Sequence, residues 1–271
     1  MTKLSIDFDS NQACIVFKWE GKGPWNQLKN TFLDTEDTHI EGDSKFFVRW
    51  SDFLLKWEQE VYPILEDLDD QGLIETSSKI EGLIERANKR RKTLEQRPDY
   101  YDESHIQSDL ESLGWGKDCD EIRVLTKNQR RNISKLLFYS GAADFSVPGA
   151  GKTTEALSYY LLKSKSLSSA LLVISPLSAF SSWEENVEKC LGKNQKIIRV
   201  NRKNIDSVIS TKKPLKMIIS YDLARNPENL NKLLNYLNEV PTILMLDESH
   251  RIKNPNSKRA RAAYHLSPFS T

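Results

Sequence analysis

A chain of 271 residues with 39 basic and 38 acidic side chains carries a formal net charge of +1. That length holds one large domain or two modest ones. The charge balance excludes a global field pulling the chain to nucleic acid or membrane, so any such contact comes from a local patch. Cys14, Cys119 and Cys190 stand far apart, which excludes a paired zinc or disulfide framework and points to a reducing compartment. No signal-peptide core and no bilayer-length apolar run is present, so the expectation is a soluble intracellular protein without a membrane partner.

In chain order, Leu4, Ile6 and Phe8 alternate with polar residues, as do Ile15 and Phe17, around Asp9-Ser10-Asn11-Gln12. This pattern predicts a hairpin that ends at Gly21-Lys22-Gly23-Pro24. From Ser44 to about Asp70, Phe47, Trp50, Phe53, Leu54, Trp57, Val61, Ile64, Leu65 and Leu68 recur at helical spacing, with Pro63 a kink or break. A second helix is predicted over about 77–96, with Ile80, Leu83, Ile84, Ala87 and Leu94 on one face. Five of the six tryptophans (Trp19, Trp25, Trp50, Trp57, Trp115) precede residue 120. They read as the small core of an accessory domain rather than as an aromatic surface for bases. Lys89-Arg90-Arg91-Lys92 reads as a solvated helix face. The polar, proline-containing run Arg97 to Ser104 breaks the helical pattern. The resulting division is an N-terminal accessory domain over 1–105, a linker over 106–121, and a larger domain over 122–271.

Past Ile122 the pattern changes. Apolar strands are predicted at 142–147, 170–175, 196–200, 216–220 and 242–246, separated by helical runs at 154–165, 182–190, 203–210 and 227–239. Such alternation predicts an α/β fold with a doubly wound parallel sheet and helices on both faces, preceded here by a smaller α+β domain.

Between the first strand and helix lies Val147-Pro148-Gly149-Ala150-Gly151-Lys152-Thr153-Thr154-Glu155. A glycine loop opening a helix wraps backbone N–H groups around phosphate oxygens, and the helix N-terminus adds positive potential. Gly149 and Gly151 permit close backbone approach. Lys152 is placed to reach the β- and γ-phosphates of ATP, and the Thr153 hydroxyl to bind Mg²⁺, with Ala150 and Thr154 completing the nucleotide-binding loop. Ser146 stands where the long form of the pattern has glycine, so the match is to the shorter G-x-G-K-T form.

The second motif is Thr242-Ile243-Leu244-Met245-Leu246-Asp247-Glu248-Ser249-His250. Ile243 to Leu246 reads as a strand buried on both faces. Asp247, at its carboxyl end, is placed to hold Mg²⁺, and Glu248 to orient or deprotonate an attacking water. Nucleotide sites lie at the carboxyl ends of parallel strands, so both motifs are expected at one sheet edge. Lys152, Asp247 and Glu248 are the catalytic candidates.

Further segments follow in order: Leu125-Thr126-Lys127-Asn128-Gln129, Ser175-Pro176-Leu177-Ser178 with Trp183-Glu184, Ser220-Tyr221-Asp222-Leu223, and Asp247-Glu248-Ser249-His250-Arg251-Ile252-Lys253-Asn254-Pro255. Over roughly 122–271 the chain resembles the first RecA-like lobe of SNF-type ATPases of helicase superfamily two. The resemblance implies that Gln129 meets the adenine edge and that His250 couples the ATP site to a later motif. It implies that Ser175 and Pro176, with Ser220 and Tyr221, lie along a DNA backbone. It also implies an ATP-dependent DNA translocase or helicase with sequence-independent DNA contacts. Two features depart from the family: Ser249 replaces a small Ala or Gly, and Ser146-Val147-Pro148 replaces an acidic pair. The element that follows in the family, a strand ending in a Thr-Gly-Thr-Pro-like turn, and the second lobe with its arginine fingers are not in these residues. The expectation is therefore an incomplete lobe, nearly inactive alone, exposing a sheet edge and partnered by a separate second lobe. A cytoplasmic bacterial protein is the leaning, nuclear if eukaryotic. The alternatives are a non-catalytic P-loop switch and an interaction protein that recruits a partner through its N-terminal domain.

Overall fold

A computed structural model describes residues 3–9, 14–20, 25–33, 38–42, 44–49, 52–53, 56, 60–70, 72–78, 80–82, 84–85, 101–139, 141–147, 149–164, 168–254 and 257–270. The chain divides into two units, Met1–Lys89 and Arg90–Thr271.

In the first unit, β1 (Leu4–Asp9) and β2 (Cys14–Trp19) form the expected antiparallel hairpin, with Leu4 opposite Trp19 and Asp9 opposite Cys14. Helix α1 covers Trp25–Thr31. The short β3 (His39–Ile40) and β4 (Lys45–Arg49) extend the sheet on one side of β2. Helix α2 (Tyr62–Asp70) precedes β5 (Ile74–Thr76), which pairs parallel with β1. Among the described residues the strand order is β3-β4-β2-β1-β5.

Phe17 stacks on Phe46 with ring centroids 4.5 Å apart. Trp19, Trp25, Phe32 and Phe53 are buried around them, so Trp19 and Trp25 are core. Trp50 and Trp57 lie outside the described residues, as do the turns 10–13 and 21–24, the cluster 89–92 and most of the helix predicted over 77–96. The helix predicted from Ser44 is corrected at its start. Lys45–Arg49 is a strand because Phe46 and Val48 are as buried as Phe47. Aromatic and β-branched residues on consecutive positions suit a pleated surface covered on both sides. Pro63 is the second residue of α2 and directly follows π-helical residues 60–61, so the helix changes its winding at the proline.

The second unit begins its described part with α3 (Ile106–Ser112), α4 (Lys127–Phe138) and α5 (Lys152–Ser164). Then come β6 (Ala170–Ser175), α6 (Phe180–Leu191), β7 (Ile198–Arg199) and α7 (Ile205–Ile209). The order continues with β8 (Lys216–Ser220), α8 (Tyr221–Ala224), α9 (Pro227–Glu239), β9 (Thr242–Leu246) and α10 (Lys258–Leu266). The strands pair in parallel in the order β7-β8-β6-β9. All six residues of β6 are buried, so this strand is covered on both faces. Leu171, Val173, Ile218 and Ile243 face a core shared with Leu157, Leu161, Phe180, Trp183 and Val187. This is the expected α/β class with a parallel sheet flanked by helices, alongside an α+β N-terminal unit. Among the described residues, no helix is long and apolar enough to cross a membrane.

Two expectations change here. Residues 106–121, read as a linker, belong to the second unit: Ile106, Leu110 and Trp115 lie in its core, and the Trp115 indole donates to the Arg123 carbonyl at 2.8 Å. Residues 142–147, read as the strand entering the loop, form no strand. Phe145 is 88% and Val147 72% exposed. A strand requires a neighbour to satisfy its backbone, and among the described residues β9 is the outermost strand with nothing paired beyond it.

Candidate active site

The glycine loop leads directly into α5. Gly149 and Gly151 have φ of +84° and +88°, in the region where a side chain is strained. A Cβ on Gly149 would meet open space, whereas one on Gly151 would lie 2.5 Å from Gln129 Nε2. The first glycine thus leaves room for a ligand, and the second lets α4 approach. Gln129 sits in the first turn of α4, whose N-cap Thr126 accepts from the Gln129 N–H at 3.2 Å. In return Gln129 Oε1 accepts from Thr126 N at 3.0 Å, and Nε2 donates to the Ala150 carbonyl at 3.0 Å. Both ends of its amide are engaged in tying α4 to the loop. An adenine contact at Gln129 requires it to exchange one of these bonds. Pro148 lies outside the described residues.

Behind the loop, Thr154 and Glu155 are buried. The Arg123 guanidinium donates from Nη1 to Thr154 Oγ1 and to Asn186 Oδ1, both at 2.7 Å, joining α5 to α6. The sequence pattern does not single out Arg123, because nothing local marks it; only the packing of three segments does. Asn132 of α4 donates to the Glu155 carboxyl at 3.3 Å. Burial first, and then the nearby Asp144 carboxylate, push Glu155 up to about 7. One oxygen of Asp144 is buried without a hydrogen-bond partner.

Helix α5 packs on the sheet through Leu157 and Leu161, in the core shared with Leu171 and Val173 of β6, and contacts β9, which leads into Asp247. Asp247 continues the pairing, its N–H donating to Ile174 O at 2.9 Å. Its Oδ2 accepts from Ser175 Oγ at 2.8 Å and from Trp183 Nε1 at 2.9 Å. No hydrogen bond among the described residues reaches Oδ1. Glu248 turns off the strand at φ +52°, a left-handed conformation that costs about 1–2 kcal/mol for a residue with a Cβ. That turn carries its carboxylate to His250, with Oε2 3.1 Å from Nδ1. Among the described residues no three His, Cys, Asp or Glu side chains cluster as a metal cage. A carboxylate oxygen with no hydrogen bond from the described residues suits Mg²⁺, which keeps waters and takes few protein ligands.

Comparison with known proteins matches residues 144–268 to the SNF2-related domain. Residues 144–268 are an SNF2-related domain. An ATP-dependent DNA helicase from Arabidopsis thaliana is 30% identical over 129 residues, which cover 44% of this chain and 16% of that protein. A DNA repair protein from Candida albicans is 26% identical over 118 residues, covering 36% of this chain and 11% of that protein. The chain thus spans a small part of the length of these relatives. Among solved structures, a Sulfolobus solfataricus SWI2/SNF2 ATPase core in complex with dsDNA aligns at 22% identity with a TM-score of 0.39. That alignment covers 53% of this chain and 30% of that one.

Within the SNF2-related domain, the side chains expected along DNA are turned elsewhere. Ser175 is fully buried and points to Asp247. Tyr221 is buried, and its hydroxyl donates to the Asp247 carbonyl at 2.7 Å. Burial, then the Asp247 charge, push that phenol up to about 12, which keeps its proton in place. Ser220 caps α8 by accepting from Leu223 N at 3.2 Å. Pro176, partly exposed, precedes a 3-10 turn, Leu177–Ala179, that presents Leu177 to solvent at 72% exposure. The resemblance places these residues beside a nucleic acid at the ends of strands. Two of them, Ser175 and Tyr221, are instead engaged with Asp247.

Proposed function

We propose that the second unit is the ATP-binding lobe of an SNF-type, DNA-dependent ATPase that moves along DNA in the intact protein. In this reading the loop amides and Lys152 grip the phosphates, and the Thr153 hydroxyl and Asp247 Oδ1 hold Mg²⁺. Held there, Mg²⁺ would supply neutralisation of charge on the transferring phosphoryl group. Glu248, steadied by His250, orients the attacking water. Gln129 moves from the Ala150 carbonyl to the adenine edge when nucleotide enters. In this architecture a second lobe supplies positive charge to the transition state, a contribution of about three to five powers of ten in rate. DNA contacts go to the backbone through exposed groups near Leu177–Ala179 and through Arg251, Lys253, Lys258 and Arg261, which makes binding sequence-independent and salt-sensitive. Arg259 is less available because it pairs with Asp222 at 2.9 Å.

The observation that carries the reading is a glycine loop with two positive-φ glycines opening a 13-residue helix beside a parallel strand that ends in Asp247-Glu248. Titration of a fluorescent ATP analogue in Mg²⁺ tests it. Saturable binding by the wild type, weakened at least about tenfold in Lys152→Ala, is the expected result, since a charged hydrogen bond contributes about 1.5–3 kcal/mol. Binding that ignores Lys152→Ala rejects the reading in favour of an interaction protein.

A further inference from the structure

Asp247 is held at four points. Its N–H is fixed to Ile174 O, its carbonyl accepts from Tyr221, and one carboxylate oxygen accepts from both Ser175 and Trp183. Ser175, Trp183 and Tyr221 are all at most 4% exposed, so water does not compete for these bonds. The two carboxylate donors are neutral and converge on Oδ2, which fixes the rotamer and leaves Oδ1 as the outward oxygen. Phenylalanine at 183 would fill the same apolar volume among Phe180 and Val187, but only the indole can donate. Trp183 also belongs to a stiff element. The exposed turn Leu177–Ala179 passes straight into α6 at Phe180, and Phe180 has helical dihedrals. From Leu177 to Trp183 is about 10 Å of continuous 3-10 and α-helix.

We propose that Trp183 is a positioning residue that sets the orientation of Asp247 through its indole N–H, and so sets metal affinity at that carboxylate. The inference rests on the reading of Asp247 as a Mg²⁺ ligand.

The test measures fluorescent ATP-analogue binding as a function of Mg²⁺ concentration for the full chain and for Trp183→Phe and Ser175→Ala. Supporting groups of metal ligands typically contribute tenfold to a hundredfold in metal affinity. The Mg²⁺ midpoint should rise about tenfold in Trp183→Phe, while nucleotide binding in EDTA stays within about twofold of wild type. Should Trp183→Phe fail to fold, Ser175→Ala removes the other donor to the same oxygen and should shift the midpoint in the same direction. An unchanged midpoint in both variants overturns the proposal while leaving the ATP reading intact. An equal loss with and without Mg²⁺ also overturns it, since that is what simple unpacking produces. A wild type whose nucleotide binding ignores Mg²⁺ overturns the metal reading and this inference together.

Discussion

Glu155→Gln isolates the buried carboxyl behind the glycine loop. Glu155 is 1% exposed and faces Asp144, so its carboxyl titrates near 7 instead of the ordinary 4.5. A raised folded-state value means the group favours folding below the unfolded value and loses that contribution as pH climbs through 7. The gap of about 2.5 pH units, at 1.36 kcal/mol each, sets a ceiling of about 3 kcal/mol between pH 4.5 and 8. Glutamine keeps an acceptor for Asn132 and cannot ionise. The variant is therefore expected to be more stable than wild type at pH 8, by up to about 3 kcal/mol, and close to it at pH 5. Urea unfolding at both pH values, followed by circular dichroism, gives the difference directly. An equal effect of the substitution at the two pH values refutes the argument, because it removes ionisation as the cause.

Gly151→Ala puts a Cβ 2.5 Å from Gln129 Nε2 at φ +88°. It is expected to cost about 1–2 kcal/mol in stability, measured by thermal melting, and to weaken nucleotide binding by displacing Gln129. Trp115→Ala is expected to destabilise the second unit by about 3–5 kcal/mol, as for other buried aromatics, in chemical denaturation of a 101–271 fragment. In the same experiment a 122–271 fragment should be less stable than 101–271, because it lacks Ile106, Leu110 and Trp115. Duplex DNA binding is expected to fall linearly on a log–log plot against salt, with a shallower slope in an Arg251→Ala, Lys253→Ala double variant, read by fluorescence anisotropy.

The sheet of the second unit is legible in the sequence because its strands are short apolar runs bounded by polar residues, and burial on both faces leaves that imprint. Pro227–Glu239 is predicted over its full length, helped by Asn226 as cap and Pro227 in the first turn. Residues 142–147 carry the same local imprint yet form no strand. Strand formation depends on a neighbour, which the local sequence does not report. Lys45–Arg49 reads as helix because Phe47 and Trp50 fit a helical spacing, while the buried Phe46 and Val48, which lie off that spacing, decide for a strand. The stretch 106–121 resembles a linker because its apolar residues are few; three of them, Ile106, Leu110 and Trp115, are buried in the core. In the site, the positions of the glycine loop and Asp247 are legible because backbone demands at a phosphate loop and a strand end are local. The tie from Trp183 to Asp247 spans 64 positions in sequence, and nothing in either motif announces it.

A crystal structure with Mg²⁺ and a non-hydrolysable ATP analogue tests the central claim most directly. The account predicts the triphosphate wrapped by Gly149 to Thr153, with Lys152 on the β- and γ-phosphates and the metal between the Thr153 hydroxyl and the Asp247 carboxylate. A nucleotide bound away from that loop, or a metal that leaves Asp247 uncoordinated even through water, would contradict it.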